Sequence, residues 1–137
     1  MKIILDGMGG DNAPDAVVEG AVLAVEEMPE DSGIILVGQE DVMKTFLHKY
    51  KYKGDRIEVV NADDVITNDD SPVRAIRRKK DSSIVVGFEL LKSGKGDAFV
   101  SCGSTGALLA GGLLILGKIV GVDRPSLATI YPVIGAE

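Results

Sequence analysis

The sequence predicts an α/β fold, a three-layer α/β/α sandwich around a mainly parallel sheet. Short apolar runs that end in an acid or a glycine alternate with longer segments whose apolar residues repeat at helical spacing. Strands that are separated by helices pair in parallel through right-handed crossovers. With 137 residues, of which 45% are apolar, the chain can form one core. We expect residues 1–137 to be the N-terminal part of a single, longer α/β domain.

The chain opens with a strand and a helix. Lys2–Asp6 is an apolar run that ends in an acid, which is typical of a buried strand. A helix then begins at Pro14 and runs to about Met28, because proline fits the first helical turn. Asp11 and Asn12 precede it as candidate N-cap side chains.

The same alternation continues to the middle of the chain. Ile34–Val37 is predicted as a second strand and Arg56–Val60 as a third. Between them, residues from Glu40 to about Tyr50 carry apolar side chains at helical spacing. These elements complete two strand–helix–strand units.

The second half predicts three helices and two strands. Ser71-Pro72 is predicted to cap and start one helix, which reaches the basic run, and Ser82-Ser83 to cap another. Ala98–Ser101 is a strand, and a long apolar helix follows from Thr105 to Ile119. Ala128–Val133 is predicted as one more strand, at an edge because of its proline.

Composition excludes several classes of function. The net charge of −6 and the aromatic content of 4% argue against nucleic-acid binding. Cys102 is the only cysteine, so no internal disulfide forms. The apolar run at the N-terminus is too short for a signal peptide, and the longest apolar stretch is far shorter than a membrane span. We expect a cytoplasmic protein.

The glycine turn, Asp6–Pro14, follows the first strand. Its glycines let the backbone approach a ligand closely, and its N–H groups with the next helix would hold an anion. Asp6 and Asp11 would orient a donor or a metal. The alternative is a tight strand-to-helix turn with aspartate caps. The glycine spacing is not that of a nucleotide-binding motif.

The serine turn, Ser101–Gly106, precedes the long apolar helix. Small hydroxyl residues and glycines expose N–H groups at a helix start, which is the arrangement that phosphate needs. The alternative is a serine or threonine cap with glycines for helix packing. We interpret Cys102 as a small buried residue rather than a nucleophile, because no histidine lies beside it in sequence.

The basic run, Arg74–Lys80, holds five cations in seven residues. Arg74, Arg77 and Arg78 share a helix face and the others point elsewhere, so the cations cannot all face one ligand. Some of these cations would bind phosphate or an acidic carrier protein. The alternative is that the whole run is a solvated face. The nearby aspartate pairs at 63–64 and 69–70 are interpreted as turn and cap residues rather than a metal site. His48 is expected to be exposed.

Signatures in order along the chain resemble those of the bacterial phosphate acyltransferases of phospholipid synthesis. They are Leu5–Pro14, Asp70–Pro72 with Arg77–Ser83, Ala98–Leu109 and Asp123–Leu127. The resemblance implies an α/β/α fold related to phosphotransacetylases and to isocitrate- and isopropylmalate-type dehydrogenases. It also implies transfer of an acyl group from acyl carrier protein to inorganic phosphate, without cofactor or metal, feeding glycerophospholipid synthesis. It implies a homodimer, and peripheral membrane contact through regions outside this chain.

The motifs and the resemblance together lead to a site hypothesis. Hydroxyls and amides of the serine turn hold phosphate, and the Gly9-Gly10 amides bind phosphate or the thioester oxyanion. A cation from Arg77 to Lys80 offsets the phosphate charge, and Asp11 orients that cation or a hydroxyl. The candidate catalytic residues are Asp11, Lys80, Ser104 and Thr105. The candidate substrate-binding residues are Asp6, Gly9, Gly10, Asn12, Arg77, Ser101, Gly103 and Gly106.

Other functions remain open from the residues alone. A phosphotransacylase that uses coenzyme A thioesters would employ the same turns. A non-catalytic fragment that binds an anion or a carrier protein is the alternative from another class. A dinucleotide oxidoreductase is disfavoured, because the glycine fingerprint of that fold is missing.

Overall fold

The computed structural model describes residues 1–128 and contains four strands with helices between them. The strands are β1 (Lys2–Asp6), β2 (Gly33–Gly38), β3 (Ile57–Asn61) and β4 (Ala98–Val100). The helices are α1 (Asp15–Glu27), α2 (Glu40–Lys49), α3 (Pro72–Arg78), α4 (Ser83–Lys92) and α5 (Thr105–Gly111), the last continuing as a π-helical turn, Gly112–Leu116. Every element predicted within these residues is present.

The four strands form one parallel sheet in the order β3-β2-β1-β4. In the centre, Leu5 lies opposite Leu36 of β2 on one side and Val100 of β4 on the other. The chain builds outward from β1 through β2 to β3 and then crosses back to place β4 beside β1. The carboxyl ends of β1 and β4 are therefore neighbours at the point where strand order reverses, which is where open α/β sheets bind ligands.

Helices cover both faces of the sheet, which confirms the α/β/α prediction. On one face, α1 and α2 pack against Ile34 and Leu36 of β2. On the other, α4 covers Ile4 and Ile35. α3 and α5 pack against α4 in a second apolar cluster that includes Phe88. Each cluster buries residues that the sequence repeats at strand or helix spacing.

One part of the first face stays open among residues 1–128. Beside α1, a groove of about 640 Å³ is floored by Ile3, Leu5 and Val100. Its wall on α1 includes Ala16 and Gly20, both exposed. The open face thus lies over β1 and β4, whereas β2 is covered on both sides.

Three local predictions are wrong. Neither Asp11 nor Asn12 caps α1; Pro14 is its N-cap residue without a side-chain bond, and the Asn12 carbonyl accepts the Ala16 N–H at 3.1 Å. Ser71 is at the N-cap of α3 but its side chain makes no capping bond. Ser82 does cap α4, by accepting the Val85 N–H.

The third error concerns the end of the last helix. The helical run stops at Leu116 instead of Ile119, because Gly117 takes a φ of 92° that ends it. Apolar periodicity continues past this glycine, so periodicity alone overestimates the length. The predicted strand at 128–133 falls outside the described residues after its first position. Among residues 1–128, no helix is long and apolar enough to cross a membrane.

Candidate functional site

Asp6 is a buried carboxylate at the end of β1, only 1% exposed. Its Oδ1 accepts the N–H of Met8 at 3.1 Å, which fixes the start of the glycine turn. Its Oδ2 accepts the hydroxyl of Ser101 at 2.7 Å. Asp6 therefore joins the glycine turn to the serine turn, 95 residues away.

The hydroxyl of Ser101 is used in both directions. It donates to Asp6, and it accepts the N–H of Gly103 at 3.0 Å. A serine hydroxyl has one hydrogen to donate. In this arrangement Ser101 has none left for a phosphate oxygen, so its geometry is that of a residue that shapes the turn.

Two glycines allow the turns to touch. A Cβ on Gly9 would lie against the Asp6 carboxylate and 2.9 Å from the Gly103 nitrogen, so only glycine fits. Gly10 has a φ of 119° and lies against the Cβ of Cys102. The glycine turn and the serine turn are thus in direct backbone contact.

The serine turn leads into α5 with a serine cap. Ser104 is buried and its Oγ accepts the Ala107 N–H at 3.4 Å, leaving its own hydrogen available. Thr105, the first residue of α5, is exposed. Gly106 lies close to Pro72 at the start of α3, where an added Cβ would be 2.8 Å from the proline ring. The turn therefore presents Thr105 outward and is supported from behind by α3.

The N–H groups around this junction are donors without internal acceptors. Within residues 1–128, the amides of Gly9, Gly10 and Cys102 donate no hydrogen bond. The amides of Thr105 and Gly106 have no partner inside α5, because the first amides of a helix lack one. Asp11 and Asn12 are exposed next to them, and their side chains make no hydrogen bond in this part of the chain. Such a set suits an oxyanion.

The basic run is divided by the structure. Lys79 points inward, where its Nζ donates to Asp70 at 2.9 Å and to the Val65 carbonyl at 2.7 Å. The hydrogen bond from Lys79 to Asp70 raises the pKa of Lys79. Arg77 and Lys80 remain exposed, and neither hydrogen-bonds to the two turns within residues 1–128.

Asp70 organises the loop before α3. It accepts the backbone N–H of Thr67 at 2.8 Å, and this bond, followed by that from Lys79, lowers the pKa of Asp70. Asp64 caps its own loop through the Val65 N–H and lies 3.7 Å from Lys79. The aspartates thus fill the turn and cap roles expected of them. Sequence reasoning missed Lys79 as their partner, because spacing does not tell which of five adjacent cations turns inward.

Cys102 is exposed rather than buried, which corrects the sequence interpretation. It lies on the outer side of the serine turn, at the edge of the groove beside α1. The small size of Cys102 still matters for packing, because Gly10 lies directly against its Cβ. His48 is exposed on α2, as predicted.

Comparison with known proteins places the chain among lipid-synthesis proteins. The model of the family described as "Fatty acid synthesis protein" matches residues 1–137. A phosphate acyltransferase of Alkaliphilus oremlandii is 56% identical over 132 residues, which is 96% of this chain and 39% of the relative. Phosphate acyltransferases of Acetivibrio thermocellus and Clostridioides difficile are 52% and 50% identical over 132 residues. The chain therefore spans about two fifths of the length of the relatives it matches.

Proposed function

The chain belongs to the fatty acid synthesis protein family, and from that premise we propose that it serves an acyltransferase that makes acyl phosphate. The acyl group would come from the thioester of acyl carrier protein, and inorganic phosphate would be the acceptor. The observation that carries the proposal is the contact between the glycine turn and the serine turn through Asp6 and Ser101. It gathers unused N–H donors at one end of the sheet.

The reaction requires positioning more than covalent catalysis. An oxygen of phosphate attacks the thioester carbon, the carbon–sulfur bond breaks, and the carrier thiol leaves. Phosphate is already nucleophilic and the thioester is already activated. Holding the two reactants in line accounts for up to about 7–11 kcal/mol of barrier lowering. No nucleophilic side chain is needed, which fits a junction made of amides and hydroxyls.

The geometry supports different roles for the candidate residues. Thr105, Ser104 and the amide of Gly106 would hold phosphate, since their donors are available at the start of α5. The Gly103 amide, also a candidate, already donates to the Ser101 hydroxyl and would shape the turn. The amides of Gly9 and Gly10 would bind phosphate or the thioester oxyanion. Asp6 and Ser101 would act by holding the turns together.

Within residues 1–128, the remaining candidate residues make no hydrogen bond to the contact between the glycine turn and the serine turn. Asp11 and Asn12 would orient a hydroxyl or a cation from their exposed positions in the glycine turn. Arg77 or Lys80 would offset the charge of phosphate. A homodimer, cytoplasmic location and peripheral membrane contact through regions outside this chain follow from the family resemblance and remain predictions.

Replacing Thr105 by valine tests the phosphate site. Valine keeps the shape and removes the donor, so a lost phosphate hydrogen bond would weaken phosphate binding by about 1.5–3 kcal/mol, or about tenfold to hundredfold. The measurement is the phosphate concentration dependence of acyl phosphate formation from palmitoyl carrier protein, in the full-length protein. Thr45→Val is a matched control, because Thr45 is exposed on α2 and bonds only the Asp41 carbonyl. An unchanged phosphate dependence for Thr105→Val would refute the assignment.

The same assay separates the alternative functions. Equal use of palmitoyl coenzyme A would favour a coenzyme A phosphotransacylase. Phosphate binding without product from the 137-residue chain, together with product from the full-length form, would make the chain a binding part of the enzyme.

A further inference from the structure

The exposed face of α3 is a compact basic surface. It consists of Val73, Arg74, Arg77 and Arg78, all exposed, while Ala75 and Ile76 on the opposite side pack into the core. Val73 is 49% exposed, which places an apolar side chain among the guanidinium groups. Within residues 1–128, no carboxylate lies within ion-pair distance of the three arginines. These four residues are called the α3 face below.

We infer that the α3 face docks the acidic surface of the carrier protein that brings the acyl group. This inference rests on the proposed function and assigns its partner to a surface. The chain as a whole carries a net charge of −6, so an acidic partner would be repelled by most of it. The α3 face is where opposite charge is concentrated.

The spread of the arginines indicates an extended partner rather than a small anion. At about 100° per residue, Arg77, Arg74 and Arg78 fan over about 100° of the helix surface, and Arg74 and Arg78 lie about 6 Å apart along the axis. The three arginines therefore form a row along the helix rather than a single point of charge. They match carboxylates distributed along a facing protein surface, with Val73 supplying apolar contact.

Lys79 differs from the arginines of the α3 face, because its side chain is only 28% exposed and pairs with carboxylates. Its ammonium is held by Asp70 and the Val65 carbonyl, so it fixes the loop behind α3. Within residues 1–128, Lys79 is thus paired with carboxylates, whereas the arginines of the α3 face have no carboxylate within ion-pair distance.

The α3 face is also close to the proposed reaction site. The start of α3 touches the start of α5, where Pro72 packs against Gly106. A protein bound on α3 therefore lies beside the serine turn. A lipid surface fits less well, because Val73 is the one exposed apolar residue of this seven-residue helix.

The test is direct binding of acyl carrier protein, apo and palmitoylated, to the 137-residue chain by titration calorimetry. R74Q/R78Q should weaken binding at least about fivefold at low salt and flatten its salt dependence, since two favourable charges are lost. Arg77 is kept because it is a candidate phosphate contact. K92Q/K95Q is the matched control, because both lysines are exposed, Lys92 at the end of α4 and Lys95 in the turn after it, and the net charge changes equally. V73S tests the apolar contact without a change in charge.

Each outcome bears on the inference. Selective loss in R74Q/R78Q, with the control near wild type, would support it. Equal weakening in both double variants, unchanged binding in R74Q/R78Q, or no binding by the wild-type chain would overturn it. Binding to phosphatidylglycerol vesicles instead of carrier protein would also overturn it. If α3-dependent binding persists but the full-length protein consumes no thioester in a phosphate-dependent manner, the proposed function fails alone.

Discussion

Ser101, a candidate ligand from the sequence, makes two hydrogen bonds within the protein. Its hydroxyl satisfies a buried carboxylate on one side and the Gly103 N–H on the other. The type of residue and its place after a strand were predictable. Its use was not, because the partner Asp6 is 95 residues away and no local pattern connects them.

Ser101→Ala should lower the free energy of unfolding by about 1–3 kcal/mol, because Asp6 would lose its hydroxyl donor while it remains buried. Urea denaturation followed by circular dichroism measures this. Ser93→Ala serves as the control, since the Ser93 hydroxyl bonds a carbonyl in an exposed position, and should change stability by less than about 0.5 kcal/mol. Equal effects of the two substitutions would contradict the role given to Ser101.

Gly9 and Gly20 give opposite predictions for the same substitution. Gly9→Ala would force a Cβ against the Asp6 carboxylate and the Gly103 nitrogen, so it should destabilise the chain and part the two turns. Gly20→Ala meets nothing within 4 Å and lies within α1, so it should stabilise by about 0.5–1 kcal/mol. Thermal melting of both variants measures the two changes in stability. A Gly9→Ala protein as stable as wild type would argue against close contact of the turns.

At the scale of helices and strands, sequence reasoning fails where the deciding feature is neither polarity nor spacing. Apolar patterning identified β1, as an apolar run that ends in an acid, and α2, by its helical spacing, almost to the residue. It overran α5, because the stop at Gly117 depends on a backbone conformation rather than on polarity. It also missed that Lys79 donates to the Val65 carbonyl, because this contact depends on the loop that faces α3.

The hydrogen bonds that Asp70 accepts from the Thr67 N–H and from Lys79 predict an acid-sensitive loop before α3. The pKa of Asp70 is lowered in the folded state, so its contribution is present above the unfolded value of about 3.9 and is lost as pH falls through the lower folded value. The stability difference between wild type and Asp70→Asn should therefore shrink as pH falls from about 6 to 3. Urea midpoints across this range measure it. Asp69→Asn is the control, because Asp69 is exposed beside it; a parallel trend for both variants would rule out the proposed linkage.

At the scale of the whole molecule, the two faces of the sheet differ in how completely helices cover them. That the ends of β1 and β4 are neighbours was an assumption of the site hypothesis, because alternation leaves the strand order open. The fold class does follow from alternating strands and helices. The uneven cover does not, because it depends on where α5 packs. α5 joins α4 on the second face, which leaves the first face open over β1 and β4.

Adjacent isoleucines on β1 test this difference. Ile4 is 0% exposed beneath α4, so Ile4→Ala should cost about 2–5 kcal/mol through lost burial and a cavity. Ile3 lines the open groove and is only partly buried, so Ile3→Ala should cost clearly less. Guanidinium denaturation of the two variants compares them. Similar losses would mean that the groove face is covered in solution.

The pairing of β1 with β4 has a consequence for how the protein folds. β1, β2 and β3 join through short crossovers, whereas the Asp6–Ser101 bond closes a loop of 95 residues. Closing long loops carries a larger entropy cost, and distant contacts form slowly. The junction of the turns should therefore be the last part of the sheet to assemble and among the first to open. Amide hydrogens near Gly103 would exchange with solvent before those of β2. The proposed chemistry therefore depends on the part of the sheet that opens most readily.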